Sequence, residues 1–205
     1  MDCTSSTSSS WLLVCLAITA MFLDVWSAPT SPHFTTHSKE SLQYVANVLI
    51  AESGKLRSEI CKTPHLCTSS FEHLLRADLK LPEINNVESG CLSTKFNKEK
   101  CLPKIYSDLL RFQPYLDVLK ESMPSNKNII EFMQVKTIFL ANGVSQLIEN
   151  PSEDQKDTTS EIALADFLSN DPWTQNLTSY IILQSFKDYM QKTARAVRNS
   201  VKVSK

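Results

Sequence analysis

The chain has 205 residues and near-equal charges, 21 Lys and Arg against 22 Asp and Glu, for a formal net charge of −1. That balance excludes a global attraction to nucleic acid or to acidic membranes, so electrostatic recognition must come from local patches. Only three glycines occur, Gly54, Gly90 and Gly143, which argues against a fold built on tight hairpins.

The first element is an apolar run over residues 11–23, interrupted at Thr19 and stopped by Asp24. It is too short to span a bilayer and has the form of a secretory signal core, although residues 1–10 carry Asp2 and no base. Val25 and Ser27 place small residues third-last and last before a cut. The expected division is a signal peptide over 1–27 and a mature domain over 28–205. Losing Asp2 and Asp24 takes the formal charge to +1. Cys3 and Cys15 leave with the same segment, and Cys61, Cys67, Cys91 and Cys101 remain. An even number in an exported chain implies two disulfides. Three pairings are open, and the short spacings favour Cys61 with Cys67 and Cys91 with Cys101. A four-cysteine zinc site is the competing reading, weakened by the lack of C-x-x-C-like pairs.

The first expected helix covers residues 37–59, where Leu42, Val45, Leu49 and Leu56 recur at helical steps beside Ala46 and Ile50. The second covers 102–121. Its residues Leu102, Ile105, Leu109, Phe112, Leu116 and Leu119 alternate steps of three and four. Pro103 suits a first turn, but a mid-helix Pro114 removes a hydrogen bond and costs about 3 kcal/mol unless the helix bends. A kink is therefore expected over 110–114. Ser125 is the expected cap of the third helix, whose seam is Ile130, Met133, Thr137, Leu140, Val144 and Leu147. A polar, acidic stretch over 149–160 and a short amphipathic piece over 162–168 follow. The fourth helix opens at Asp171-Pro172-Trp173 and runs to residue 200, with Leu183, Phe186, Met190, Ala194 and Val197 on its buried stripe.

Connection lengths set the topology. The second and third helices are joined by a few residues and must be antiparallel neighbours. The other two connections are long enough to travel a helix length. The expectation is an all-α, up-up-down-down four-helix bundle with two long crossover connections and two disulfides. Ordinary bundle stripes account for the core, and nothing in them calls for a cofactor or a metal.

Three segments carry a resemblance. The stretch from Cys91 to Cys101 is followed by Leu109, Phe112 and Leu116. Cys61 and Cys67 are followed by Leu79-Lys80-Leu81-Pro82. Trp173 leads through Leu183-Gln184-Ser185-Phe186-Lys187 to Arg195-Ala196-Val197-Arg198. Together they resemble the interleukin-6 family over nearly all of the mature chain. One departure is Asp108, where the family usually has glycine. The resemblance implies a secreted cytokine that binds a private, non-signalling receptor and then cross-links a shared signal-transducing receptor chain. Tyrosine-kinase/STAT signalling in immune and acute-phase responses would follow.

Lys187, Gln191, Arg195, Arg198 and Lys202 are spaced by four, four, three and four, and share one face of the fourth helix. From the residues alone they are either a binding stripe or a solvated face whose cations favour the helix C-terminus by about 0.3–1 kcal/mol each. The resemblance assigns Lys187, Gln191, Arg195 and Arg198 to the private receptor, together with Leu92 and Phe96 of the disulfide-closed loop; Leu92 replaces an aromatic. It assigns Trp173 and Leu74 to one contact with the shared chain. Val48, Glu52, Phe139, Asn142 and Gly143 fall at the other. Core packing is the plain alternative for Trp173 and Phe139. Asn176-Leu177-Thr178 is a glycosylation sequon, and Asn150-Pro151-Ser152 is excluded by its proline.

The sequence lacks G-x-S-x-G, a glycine-rich phosphate loop and H-E-x-x-H, and His33, His37, His65 and His73 are scattered. These features point away from an enzyme. Two other readings stand beside the first. One is a sibling cytokine resembling granulocyte colony-stimulating factor, and the other is a secreted helical carrier of an apolar ligand, which would need a sizeable cavity.

Overall fold

Leu42, Val45, Ala46, Leu49, Leu56 and Ile60 are buried along α1 (Thr36–Ile60), as their spacing requires. In the computed structural model, residues 36–62, 67, 79–84, 89–91, 96–148 and 171–202 are described. Among them every regular element is helical: α2 (Lys98–Arg111), α3 (Gln113–Ser122), a 3-10 turn (Pro124–Asn126), α4 (Lys127–Ser145) and α5 (Pro172–Lys202). The expected signal segment, Leu74, Leu92, and the stretches 149–160 and 162–168 lie outside the described residues.

Side-chain partners fix the directions. Leu42 lies against Gly143, and the Asn126 amide donates to Glu59 at 2.8 Å, so α1 and α4 run antiparallel. Gly54 faces Lys187, and Arg57 bonds Gln184, so α1 and α5 are antiparallel too. Tyr189 meets Asp108, and Ser122 meets Ser179, which turns α5 against α2 and α3. Helix α4 packs on α1 and on α2–α3, and α5 packs on the same pair, so α4 and α5 sit across a diagonal. Two helices up and two down is the bundle topology expected from the connection lengths.

Pro114 ends the second helix of the bundle and restarts it. Phe112 alone separates α2 from α3, still in right-handed helical conformation. Its N–H reaches the Asp108 carbonyl at 3.1 Å, and its own carbonyl accepts from Leu116 at 3.0 Å. The carbonyl that Pro114 cannot serve belongs to Leu110, and the Phe112 N–H turns toward it as well as toward Asp108. Two other expectations shift. Asn97 caps α2 by accepting the Lys100 N–H at 3.0 Å, so α2 starts four residues early and Pro103 lies in its second turn. Ser125 belongs to the 3-10 turn, and α4 begins without a side-chain cap.

Aromatic rings interlock in the interior. Phe112 meets Phe186 and Tyr189 edge-on, each at 5.2 Å between centroids, and Tyr115 at 6.3 Å. Ser53 and Thr137 are the polar members of otherwise apolar seams, and each hydroxyl donates to the carbonyl four residues back at 2.7 Å. The first crossover crosses α3 and α5 over residues 79–84: the Tyr115 hydroxyl donates to the Leu79 carbonyl at 2.6 Å, and Lys192 Nζ to that of Ile84 at 3.1 Å. Cys61 pairs with Cys67 and Cys91 with Cys101, with Cα separations of 5.6 and 4.9 Å. Sulfurs bonded to each other are not zinc ligands, so the local pairing replaces the metal reading.

Asp108 is 2 % exposed. Its carboxylate accepts from Lys104 Nζ at 2.7 Å, the Tyr189 hydroxyl at 2.9 Å and Arg111 Nη1 at 3.4 Å. Burial, then the Asp108 charge and hydrogen bond, push the Tyr189 phenol well above its ordinary value. Removing the carboxylate leaves a buried hydroxyl without its acceptor, a loss of about 1–3 kcal/mol. Asp108→Ala is therefore expected to lower stability by that amount in denaturant unfolding. Tyr189→Phe on the Asp108→Ala background should cost less than it does on the native one.

Candidate functional surfaces

The antiparallel registers divide the outer surface by height. Asp108 lies level with Tyr189, so the start of α2, with Phe96 and the Cys91–Cys101 bridge, shares an end of the bundle with Arg195 and Arg198. Asp171 and Trp173 begin α5 at the other end, about 37 Å away at 1.5 Å per residue.

At the first end, Arg195 and Arg198 are exposed, while Lys187 and Gln191 are half-buried on the same helical face. Phe96 is half-buried and packs against the core. The loop carrying it is closed twice, by the disulfide and by the Asn97 N–H donating to the Gly90 carbonyl at 2.7 Å. Gly90 has a φ of +66°, and a Cβ there would fall 3.0 Å from that of Asn97, so glycine is required at the closure.

At the far end, the Asp171 carboxylate accepts from the Thr174 N–H at 2.8 Å and its hydroxyl at 2.6 Å. That cap fixes the first turn and presents Trp173, which is 42 % exposed. Asn176 is half-buried, whereas Thr178 of the same sequon is buried.

The third group lies along α1 and the outer face of α4. Val48 and Glu52 are half-buried, and Glu52 pairs with Lys55 at 2.7 Å. Phe139 is 51 % exposed and Asn142 is exposed. Gly143 is a correction. It is buried, and a Cβ there would meet Leu42 Cδ2 at 2.2 Å. Its role is to let α1 and α4 approach closely, so it offers no outer surface. The sequence reading also missed Phe132, Val135 and Ile138, which are exposed beside Phe139. Steps of three and four from 132 through 135 to 139 mark a second apolar stripe that was there to find. The Lys136 ammonium lies 5.4 Å from the Phe132 ring and 5.9 Å from that of Phe139, covering part of it.

A family pattern described as Interleukin-6/G-CSF/MGF matches residues 24–200. The chain belongs to this family. It is 36 % identical to interleukin-6 of Gallus gallus over 156 residues, covering 75 % of this chain and 64 % of that protein. Identity to interleukin-6 of Orcinus orca is 31 % over 172 residues, 82 % of this chain and 83 % of the relative. For Saimiri sciureus interleukin-6 it is 34 % over 145 residues, 70 % and 68 % of the two chains. The protein is thus an interleukin-6-family cytokine with a helical bundle and two disulfides, in a family of cytokines rather than enzymes. No described helix is long and apolar enough to cross a membrane.

The Asp171 cap gives a pH test. The Thr174 hydroxyl bond, then the Thr174 N–H, hold its carboxyl below the usual 3.8. A depressed carboxylate stabilises the fold above its unfolded pKa, and the effect is lost as pH falls through the folded value. Trp11 and Trp26 precede residue 28, so fluorescence of the 28–205 chain reports Trp173 alone. The emission is expected to hold steady down to the ordinary carboxylate range and to shift below it. Asp171→Ala should show the shifted emission already at neutral pH.

Proposed function

We propose that the chain is cut after Ser27, secreted, and assembled into a receptor complex. The stripe Lys187, Gln191, Arg195 and Arg198, with Phe96 and Leu92 of the bridged loop, captures a private, non-signalling receptor. Trp173 with Leu74, and separately Val48, Glu52, Phe139 and Asn142, then engage two copies of a shared signal-transducing chain. Dimerised receptor tails activate associated tyrosine kinases and STAT proteins, in immune and acute-phase responses. The ligand itself supplies orientation and local concentration to membrane-bound partners.

One observation supports this reading: among the described residues, Arg198, Trp173 and Phe139 are exposed on three separate parts of the bundle surface. Apolar stripes buried ring against ring disfavour the apolar-carrier alternative, and well-separated groups favour simultaneous partners. Exposed Trp173 next to a rigid cap is the residue type and setting of an interface anchor. Among the described residues neither Arg195 nor Arg198 forms an ion pair, and both are exposed on α5, available to a carboxylate surface.

Binding of the two purified receptor ectodomains, separately and together, tests the assembly. Arg198→Glu is expected to abolish private-receptor binding with an unchanged helical spectrum; retained affinity refutes the assignment. Trp173→Ala is expected to keep that binding and silence signalling, and an agonist of undiminished potency refutes its role. Direct capture of the signalling receptor without the private subunit would favour the granulocyte colony-stimulating factor-like reading. We also propose that Asn176 is glycosylated before α5 packs, since Thr178 is buried afterwards. Glycosidase treatment of the secreted protein is then expected to lower its mass.

A further inference from the structure

A pocket of about 120 Å³ opens where the crossover lies on α5, lined by Pro82, Glu83, Ile84, Ser185, Asp188, Tyr189 and Lys192. Ser185 is 6 % exposed, and its buried Oγ has no hydrogen-bond partner among the described residues. A buried hydroxyl left unsatisfied costs about 1–3 kcal/mol, so the site favours an occupant that bonds it. Two carboxylates, Glu83 and Asp188, stand around the pocket with one ammonium. That ammonium, Lys192 Nζ, is already held by the Ile84 carbonyl at 3.1 Å. The Asp188 carboxylate is positioned by Gln184, whose amide donates to both its oxygens at 3.0 and 2.9 Å. Gln184 is in turn held by Arg57 of α1. Each of the two Asp188 oxygens can accept a further bond.

We propose that this pocket receives an arginine side chain of the receptor engaged by the neighbouring basic stripe. The volume is well below the ~300–1,000 Å³ of pockets for whole small molecules, and suits a side-chain head group. The charge balance selects a cation. A planar guanidinium presents several N–H donors in a fixed fork, so it can bond a carboxylate and a hydroxyl together. Pro82, Ile84 and Tyr189 complete the lining against which its stem would lie. Asp188 and Lys192 each lie three residues from a stripe member, Gln191 and Arg195 respectively, so the pocket borders the stripe on the same helix. A negative notch beside a positive stripe fixes register, because a partner displaced along α5 would set like charges together.

The inference rests on the receptor reading, and the experiment separates the two. Glu83 is exposed at the mouth, so Glu83→Lys changes its charge without disturbing packing. It is expected to weaken private-receptor ectodomain binding by about tenfold or more with unchanged thermal stability. Ser185→Leu, which fills the pocket, should do the same. In NMR titrations of the 28–205 chain, ethylguanidinium should give saturable shifts at the Ser185 and Asp188 amides, lost in Ser185→Leu. If Arg198→Glu abolishes binding while Glu83→Lys leaves it intact, the pocket assignment is overturned and the receptor reading stands. If the unmodified chain does not bind the ectodomain, the receptor reading falls and takes the receptor arginine with it. Absence of saturable ethylguanidinium shifts overturns the pocket in either case.

Discussion

Phe112 occupies the point where Pro114 interrupts the second bundle helix, and the interruption is held together by what the ring touches. Edge-on contacts with Phe186 and Tyr189 clamp the junction of α2 and α3 onto the middle of α5. One turn away the Tyr189 hydroxyl donates to Asp108, which adds a directional bond to an otherwise apolar contact. The register of α5 against α2 follows from these two residues. That register places Arg198 beside the bridged loop at one end and leaves Trp173 at the other. A slip of one helical turn would move each outer group about 5.4 Å relative to the other.

The helices and their order were legible because the seams are long and regular. Threes and fours over five or more residues leave little room for another period, and only long connections allow parallel neighbours. Helix ends were less legible. Asn97 lies inside the Cys91–Cys101 loop, where a polar residue reads as turn, and only the bond to Lys100 identifies it as a cap. Gly143 misled for a related reason. A glycine on a helix is compatible with an open face or with a close crossing, and its spacing does not distinguish them. The position of Leu42, a hundred residues away in sequence, decides. The pocket beside α5 was invisible for the same cause. Glu83 and Ser185 carry no shared motif and meet only because the crossover is tied across Tyr115 and Lys192.

Asp108 is the one charged side chain buried among the described residues, and its surroundings explain how the core accepts it. A lone buried carboxylate would be expelled or neutralised. Here Lys104 and Arg111, each about one-third exposed, reach inward from the same helix while keeping contact with water. Their charges are half-solvated, so their own desolvation is modest, and Tyr189 fills a remaining acceptor site. Without the carboxylate both cations would lose that partner and the Tyr189 hydroxyl its acceptor. The carboxylate and its surroundings therefore form one unit, and the unit lies on the core side of α2. The basic stripe, Trp173 and the α4 face lie on other elements, so this network ties α2 to α5 without touching the surfaces the frame carries.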